Sequence, residues 1–209
     1  MVRVLKHEVP FFGVIITFAL VVSLVGFNMN YGDPFNLAIR LTALNGFIAL
    51  SIAAMMSPFL KEITLFFKKP FTKIHHYFAA VGLLLITVHP ITVVLQSFDP
   101  TLFLPNLRSF YLFMFYGGSV ALIAIYAAFG AVLLRKKAMA YWRPFHALMY
   151  VALFFGVVHA NLAGMDLQNM FIMIIYDALF AGVVAAFVLK RWQIHRIRAR
   201  KNNSVNHQK

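Results

Sequence analysis

The stretch "HHYFAAVGLLLITVH" (75–89) puts histidine at both ends of an apolar run, and "HALMYVALFFGVVH" (146–159) repeats the device. Each run is as long as a membrane crossing. Working outward from them, charges divide the chain into long stretches at 9–32, 41–60, 74–98, 109–134, 144–165 and 167–189. Only the last holds a charge, Asp177. Each can cross a hydrocarbon core of about 30 Å at about 1.5 Å per residue. None alternates as an outer-membrane strand does. With 62% hydrophobic residues, 12% charged, and a mean hydropathy of +0.80, the composition is that of an integral membrane protein. The expected fold is an all-α integral membrane bundle of six transmembrane helices. The first stretch reads as a span rather than a cleaved leader, because it is long and no small-x-small site follows it.

The basic residues orient this bundle. Arg3 and Lys6 precede span one; Lys61, Lys68, Lys69 and Lys73 separate spans two and three; Arg135, Lys136, Lys137 and Arg143 separate spans four and five. Seven more follow span six, so seventeen of the 19 Lys and Arg fall on one side of an alternating topology. The other side has Arg40 and Arg108, with Asp33, Asp99 and Asp166. Basic loops stay inside, which puts both termini in the cytoplasm. The net charge of +13 then reports loops against anionic lipid rather than nucleic acid. The expected organisation is a membrane domain over 1–190 and a basic tail over 191–209, disordered by composition. Cysteine is absent, which excludes thiolate chemistry and iron–sulfur clusters. No Gly-rich dinucleotide fingerprint is present, so flavin or nicotinamide chemistry would come from a partner.

Five histidines lie in spans three and five, where polar groups need a reason. Both spans start on the cytoplasmic side and run parallel. His75, His76 and His146 then sit near the inner face, and His89 and His159 near the outer. The two layers are about 20 Å apart. A 14-residue step falls about 40° short of four turns, so His75 and His89 share a face; the 13-residue step from His146 to His159 falls about 140° short and requires a distorted turn or a tilt. Two imidazoles from facing helices at one depth suit a bis-histidine haem, with axial ligands His75 and His146 inside and His89 and His159 outside. Zinc would need three or four convergent ligands. Phe78, Gly82, Phe154, Phe155 and Gly156 are candidate walls for the macrocycle. Arg40 outside, with Lys73 and Arg143 inside, are candidate partners for its propionates. His76 could face a propionate or the headgroups. Interhelical hydrogen bonding or a proton relay are the competing roles for these histidines. Asp177 reads equally as a hydrogen-bonded structural acid or a proton-handling group, and Asn45 and Asn161 as interhelical donors.

At these residues the chain resembles the ferric reductase-like transmembrane domain family. That family includes NADPH oxidases, ferric reductases and the haem-binding membrane subunit of the bacterial methionine-sulfoxide reductase system. The family's third-span pattern, a histidine, a basic residue and a second histidine 14 later, is matched by His75, His76 and His89. Its fifth-span pair is matched by His146 and His159. The segment "RLTALNGFIALSIAAMMSPF" (40–59) resembles its second span, and the likeness covers roughly residues 36–165. The resemblance implies haem b and electron transport. NADPH oxidases carry a cytoplasmic FAD/NADPH module, and the expectation here is an electron-transfer subunit without one. The methionine-sulfoxide subunit tends to have basic residues where His75 and His76 stand, and histidine there favours two haems.

The sequence thus predicts a cytochrome b-type oxidoreductase subunit of the plasma or inner membrane. Electrons would pass from a cytoplasmic flavin, flavoprotein or quinol to an outer acceptor, which would be a redox partner, ferric iron or oxygen. The rivals are a quinol-handling cytochrome and a non-redox proton channel or scaffold.

Overall fold

The computed structural model describes residues 15–24, 33–137 and 141–206. All regular structure among them is helical. In chain order the helices are α1 (Ile15–Leu24), α2 (Pro34–Met55), α3 (Leu60–Phe67), α4 (Phe71–Ser97), α5 (Phe110–Phe115), α6 (Gly117–Leu133), α7 (Trp142–His146), α8 (Leu148–Ala163) and α9 (Met170–Asn206). Short 3₁₀ turns cover Pro100–Phe103 and Met165–Gln168. Four helical segments are long and apolar enough to cross a membrane: Pro34–Met55, Phe71–Ser97, Trp142–Ala163 and Met170–Arg200. Exposed leucine, isoleucine and valine side chains such as Leu20, Leu84, Leu95, Ile123 and Val188 belt the bundle, a surface suited to lipid rather than water. The chain is therefore an all-α integral membrane protein.

The expected spans four and five are each broken. The stretch 109–134 divides at Tyr116, between α5 and α6, leaving α6 as a shorter apolar helix. The stretch 144–165 carries a joint at Ala147, between α7 and α8. Of the expected first span, 9–32, only 15–24 lies within the described residues. The tail differs from its compositional reading. Helix α9 continues past residue 190 to Asn206, because Lys, Arg and Gln lose little rotamer freedom in a helix and α9 supplies the nucleus they extend. Residues 207–209 lie outside the description.

Polar caps start the helices. Asp33 accepts the Phe35 N–H at 3.0 Å ahead of Pro34, which is suited to the first helical position. Ser109 accepts from Leu112 and Asn169 from Phe171 in the same way. Asp99 caps the 3₁₀ turn, and the Thr101 hydroxyl and N–H hold its carboxyl below the usual range. At the other end of α2, Pro58 has no N–H to give the Ala54 carbonyl, and the helix stops at Met55.

Helix α2 is the centre of the bundle. Arg40, Leu44, Phe47, Ile48 and Leu50 are buried, and Phe47 stacks on Tyr176 of α9 at 5.3 Å. Glycines let α4 lie against α2: a Cβ on Gly82 would stand 2.7 Å from Leu50, and one on Gly46 2.8 Å from Ile86. Side-chain bonds add to the packing. Asn45 donates to Ser23 of α1 at 2.9 Å, and Tyr176 donates to the Leu44 carbonyl at 2.7 Å.

Candidate functional site

Helix α4 packs along α2, and α8 packs along α6; among the described residues α4 and α8 do not pack along each other. The candidate histidines line the space between them. His75 on α4 and His146 on α7 meet edge to face, with ring centroids 6.3 Å apart and planes at 78°. His89 on α4 and His159 on α8 line one cavity at the other level. The helices therefore run parallel and bring the imidazoles together in two layers. The His75 ring makes the ring contact with His146; His76 is exposed beside it, 5.9 Å from His75, and is also near enough to His146 to act on it electrostatically.

The joint at Ala147 bears on the awkward 13-residue step. Ala147 N–H reaches the Pro144 carbonyl and Tyr150 N–H the Ala147 carbonyl, both i to i−3 bonds. A residue wound as a 3₁₀ turn rotates about 120° instead of about 100°. A few such residues recover part of the shortfall between His146 and His159.

Three of the four rings are pinned through Nδ1. His75 bonds the Ala53 carbonyl at 3.1 Å, His89 the Ile39 carbonyl at 3.0 Å, and His159 the Phe115 carbonyl at 2.6 Å. A carbonyl only accepts, so Nδ1 carries the proton and Nε2 keeps its lone pair. Helix breaks supply two of these acceptors. Near the end of α2, Ser57 N–H turns to Ala54, which leaves the Ala53 carbonyl to His75. At the α5–α6 joint, Ser119 N–H turns to Tyr116, which leaves Phe115 to His159. The fourth ring differs: Nδ1 of His146 is buried without a hydrogen bond of ordinary geometry, although the Ala128 carbonyl is near enough to act on it.

The cavity at the His89–His159 level has a volume of about 400 Å³, within the size range of small-molecule and cofactor sites. Its aromatic walls are Phe47, Phe103, Phe115, Tyr116 and Tyr176. Gly118 makes room for the His159 ring: a Cβ there would stand 3.2 Å from its Nε2. Of the five wall residues expected from sequence, Gly156 lines this cavity, and Phe78, one turn from His75, lies at the other level. Gly82 is spent on Leu50 of α2, Phe78 packs with Met56, Phe67 and Ile74, and Phe154 and Phe155 pack on Phe180 and Phe113. Helical phase decides these allegiances.

At the cavity's end sits an ion pair that sequence reading did not find. Arg40 donates Nε to both oxygens of Asp166, at 3.0 and 2.9 Å, and a terminal nitrogen to Oδ1. Both residues are buried. Arg40 does line the cavity, but with its charge already matched. Lys73 and Arg143 are exposed, the latter with its guanidinium over Trp142 at 5.6 Å. Asp177, which sequence left without a partner, accepts from Asn161 at 3.0 Å.

Among the described residues no three His, Asp or Glu side chains converge as they would on a bare metal ion. No protein-family model, curated protein or solved structure matches the chain.

Proposed function

We propose that this chain is a b-type cytochrome subunit of the ferric reductase-like kind, holding one haem in each histidine layer. The observation that carries the proposal is the set of pinned imidazoles at two levels between parallel helices. Fixing Nδ1 on a backbone carbonyl sets the tautomer and aims Nε2 away, the outer-shell arrangement usual for histidine ligands. At one level His75 and His146, from the two helices, stand with ring centroids 6.3 Å apart and would hold the group between them. Two ligands per layer suit a group that brings its own equatorial nitrogens. The gap between α4 and α8, and the relief at Gly118, fit a flat body entering from the side.

A haem would supply one-electron iron chemistry, and two histidines per iron would make it a carrier rather than an oxygen-binding centre. The chain's own work would be to hold it through the histidine Nε2 atoms, surround it with a mostly apolar lining, and set charge at the cavity's end through Arg40 and Asp166. His75 and His146 would hold the inner group, His89 and His159 the outer. Six spans with both termini in the cytoplasm complete the proposal. Electrons would pass from a flavin, flavoprotein or quinol inside to an acceptor outside, in the plasma or inner membrane.

A reduced-minus-oxidised visible spectrum of the purified protein, with a pyridine haemochrome count, tests this. The expected result is two haems b per chain. His89→Ala and His159→Ala should remove one and the same haem, and His75→Ala and His146→Ala the other. Absence of haem, or loss of one haem on both His89→Ala and His146→Ala, would overturn it.

A further inference from the structure

A carboxylate stands on the outside of this bundle at membrane depth. Asp177 is about 10 Å along α9 from Met170, on a helix long and apolar enough to cross the bilayer, and its side chain is exposed. Beside it on α8, Asn161 is exposed too. Ionisable groups inside a membrane almost always face the bundle or a partner, because lipid offers no hydrogen bonds. The face around this one is open, with Ile174, Ala178, Ala181 and Leu162 all exposed. Small residues at this spacing let another backbone approach closely.

The hydrogen-bond inventory of the face decides what could cover it. Asn161 has two N–H donors. One goes to the Val157 carbonyl at 3.0 Å and the other to Oδ1 of Asp177 at 3.0 Å. Both partners only accept, so the amide orientation is fixed. What remains outward is Oδ2 of Asp177 and Oδ1 of Asn161, and both are acceptors. Among the described residues neither has a donor. A second copy docked through the same face would set acceptor against acceptor and carboxylate against carboxylate.

We infer that the α8–α9 face at Asp177 is the docking surface for a different membrane protein, through a transmembrane helix that carries a lysine or arginine at this depth. The cation neutralises Asp177 and donates to the two free oxygens, while Ala178 and Ala181 admit the partner's backbone. The inference rests on the membrane reading alone and is independent of the haems.

The test uses the full chain in phosphatidylcholine vesicles. The probes are dye-labelled synthetic transmembrane peptides of leucine and alanine, with lysine, leucine or glutamate at one mid-outer position, and energy transfer reports association. The lysine peptide should associate about tenfold more tightly than the leucine peptide, the scale of one interhelical hydrogen bond in model peptides. Asp177→Asn, which keeps an acceptor for Asn161, should abolish the preference. Ala181→Trp should weaken binding of the lysine peptide without touching the carboxyl. Equal binding of all three peptides would overturn the inference and leave Asp177 facing lipid, with Asn161 as its partner. Self-association that Asp177→Asn removes would replace the partner with a second copy. A photo-crosslinker at Ala181 that captured residues 1–14 of the same chain would make the occupant internal.

Discussion

The Arg40–Asp166 pair offers the sharpest test of how the outer cavity is built. Asp166 lies in the Met165–Gln168 turn between α8 and α9, and Arg40 lies in the first half of α2. Their three side-chain bonds fasten the end of α8, which carries His159, to the α2 residue beside Ile39, which anchors His89. Relative exposures of 7% and 5% leave both charges largely withdrawn from solvent, at the end of the cavity. Asp166→Ala therefore strands a buried guanidinium, and breaking a buried pair this way costs about 3–5 kcal/mol. At 1.4 kcal/mol per factor of ten, that lowers the folded-to-unfolded ratio by on the order of a hundredfold or more. Arg40→Met combined with Asp166→Leu removes both charges and fills the space, and should cost less than about 1.5 kcal/mol. The assay is the folded fraction in mixed micelles titrated with SDS. Two results would refute the reasoning: a single-variant cost under 1 kcal/mol, or a double variant as unstable as the worse single one. Either would mean that the pair is hydrated or already neutral.

Other expectations follow from close contacts and anchors. Gly82→Val should destabilise by about 1–3 kcal/mol, because its Cβ meets Leu50 at 2.7 Å and the Leu50 nitrogen at 3.0 Å; a thermal shift in detergent reads this, and an unchanged midpoint would mean that α4 slides freely on α2. If each histidine layer holds a haem as proposed, Gly118→Ala should perturb the His89–His159 centre and spare the other, because the new methyl crowds Nε2 of His159 at 3.2 Å; low-temperature visible or EPR spectra would separate the two centres. Tyr176→Phe removes a 2.7 Å bond to the Leu44 carbonyl, for a loss of about 0.5–1.5 kcal/mol in the same SDS titration. On the same proposal, His75→Ala should abolish the low-spin spectrum of the His75–His146 centre and His76→Ala should keep it, since the His75 ring stands 6.3 Å from that of His146 and is pinned by Ala53.

Much of this site was legible in the sequence because it follows from arithmetic along one helix. Residue counts place histidines at matched depths, and alternation of basic loops sets the direction of each span. What was not legible depends on phase between helices. Gly82 looked like room for a cofactor, yet its open side faces Leu50, a residue 32 positions earlier. Asp166 looked like one of three outer acids; only the fold brings it to Arg40, 126 residues away. The anchors were hidden for another reason. The Ala53 and Phe115 carbonyls are backbone groups, made available by a proline beyond α2 and a joint at Tyr116. No side-chain pattern announces a carbonyl released by a helix break. Asp177 shows an intermediate case: its cost in lipid was plain, and its partner Asn161 was named as an interhelical donor, but their meeting needed the α8–α9 contact.

The same anchors bear on the rival reading of the histidines as a proton relay. A relay histidine must take a proton on one nitrogen and release it from the other, to a group that can pass it on. Here Nδ1–H of His75, His89 and His159 points at a peptide carbonyl, which accepts a hydrogen bond but hands no proton forward. The nitrogen left without a backbone partner on each of these rings is thus Nε2. Along α4 the layers are 14 residues apart, about 20 Å of rise, far beyond the reach of one hydrogen bond. Between them α4 offers His76 and Tyr77, both within two residues of His75, and then Thr87, whose hydroxyl donates to the Leu83 carbonyl at 2.6 Å and meets the Tyr126 hydroxyl at 2.8 Å. Imidazoles with one nitrogen fixed and one free, stacked at two depths, have the form of ligand sets for separate centres rather than links in a chain. Electrons can tunnel between such centres through apolar packing, whereas protons need a continuous path of exchangeable groups. The pinning of Nδ1 on three of the four rings is thus a point in favour of the electron-carrier reading proposed above.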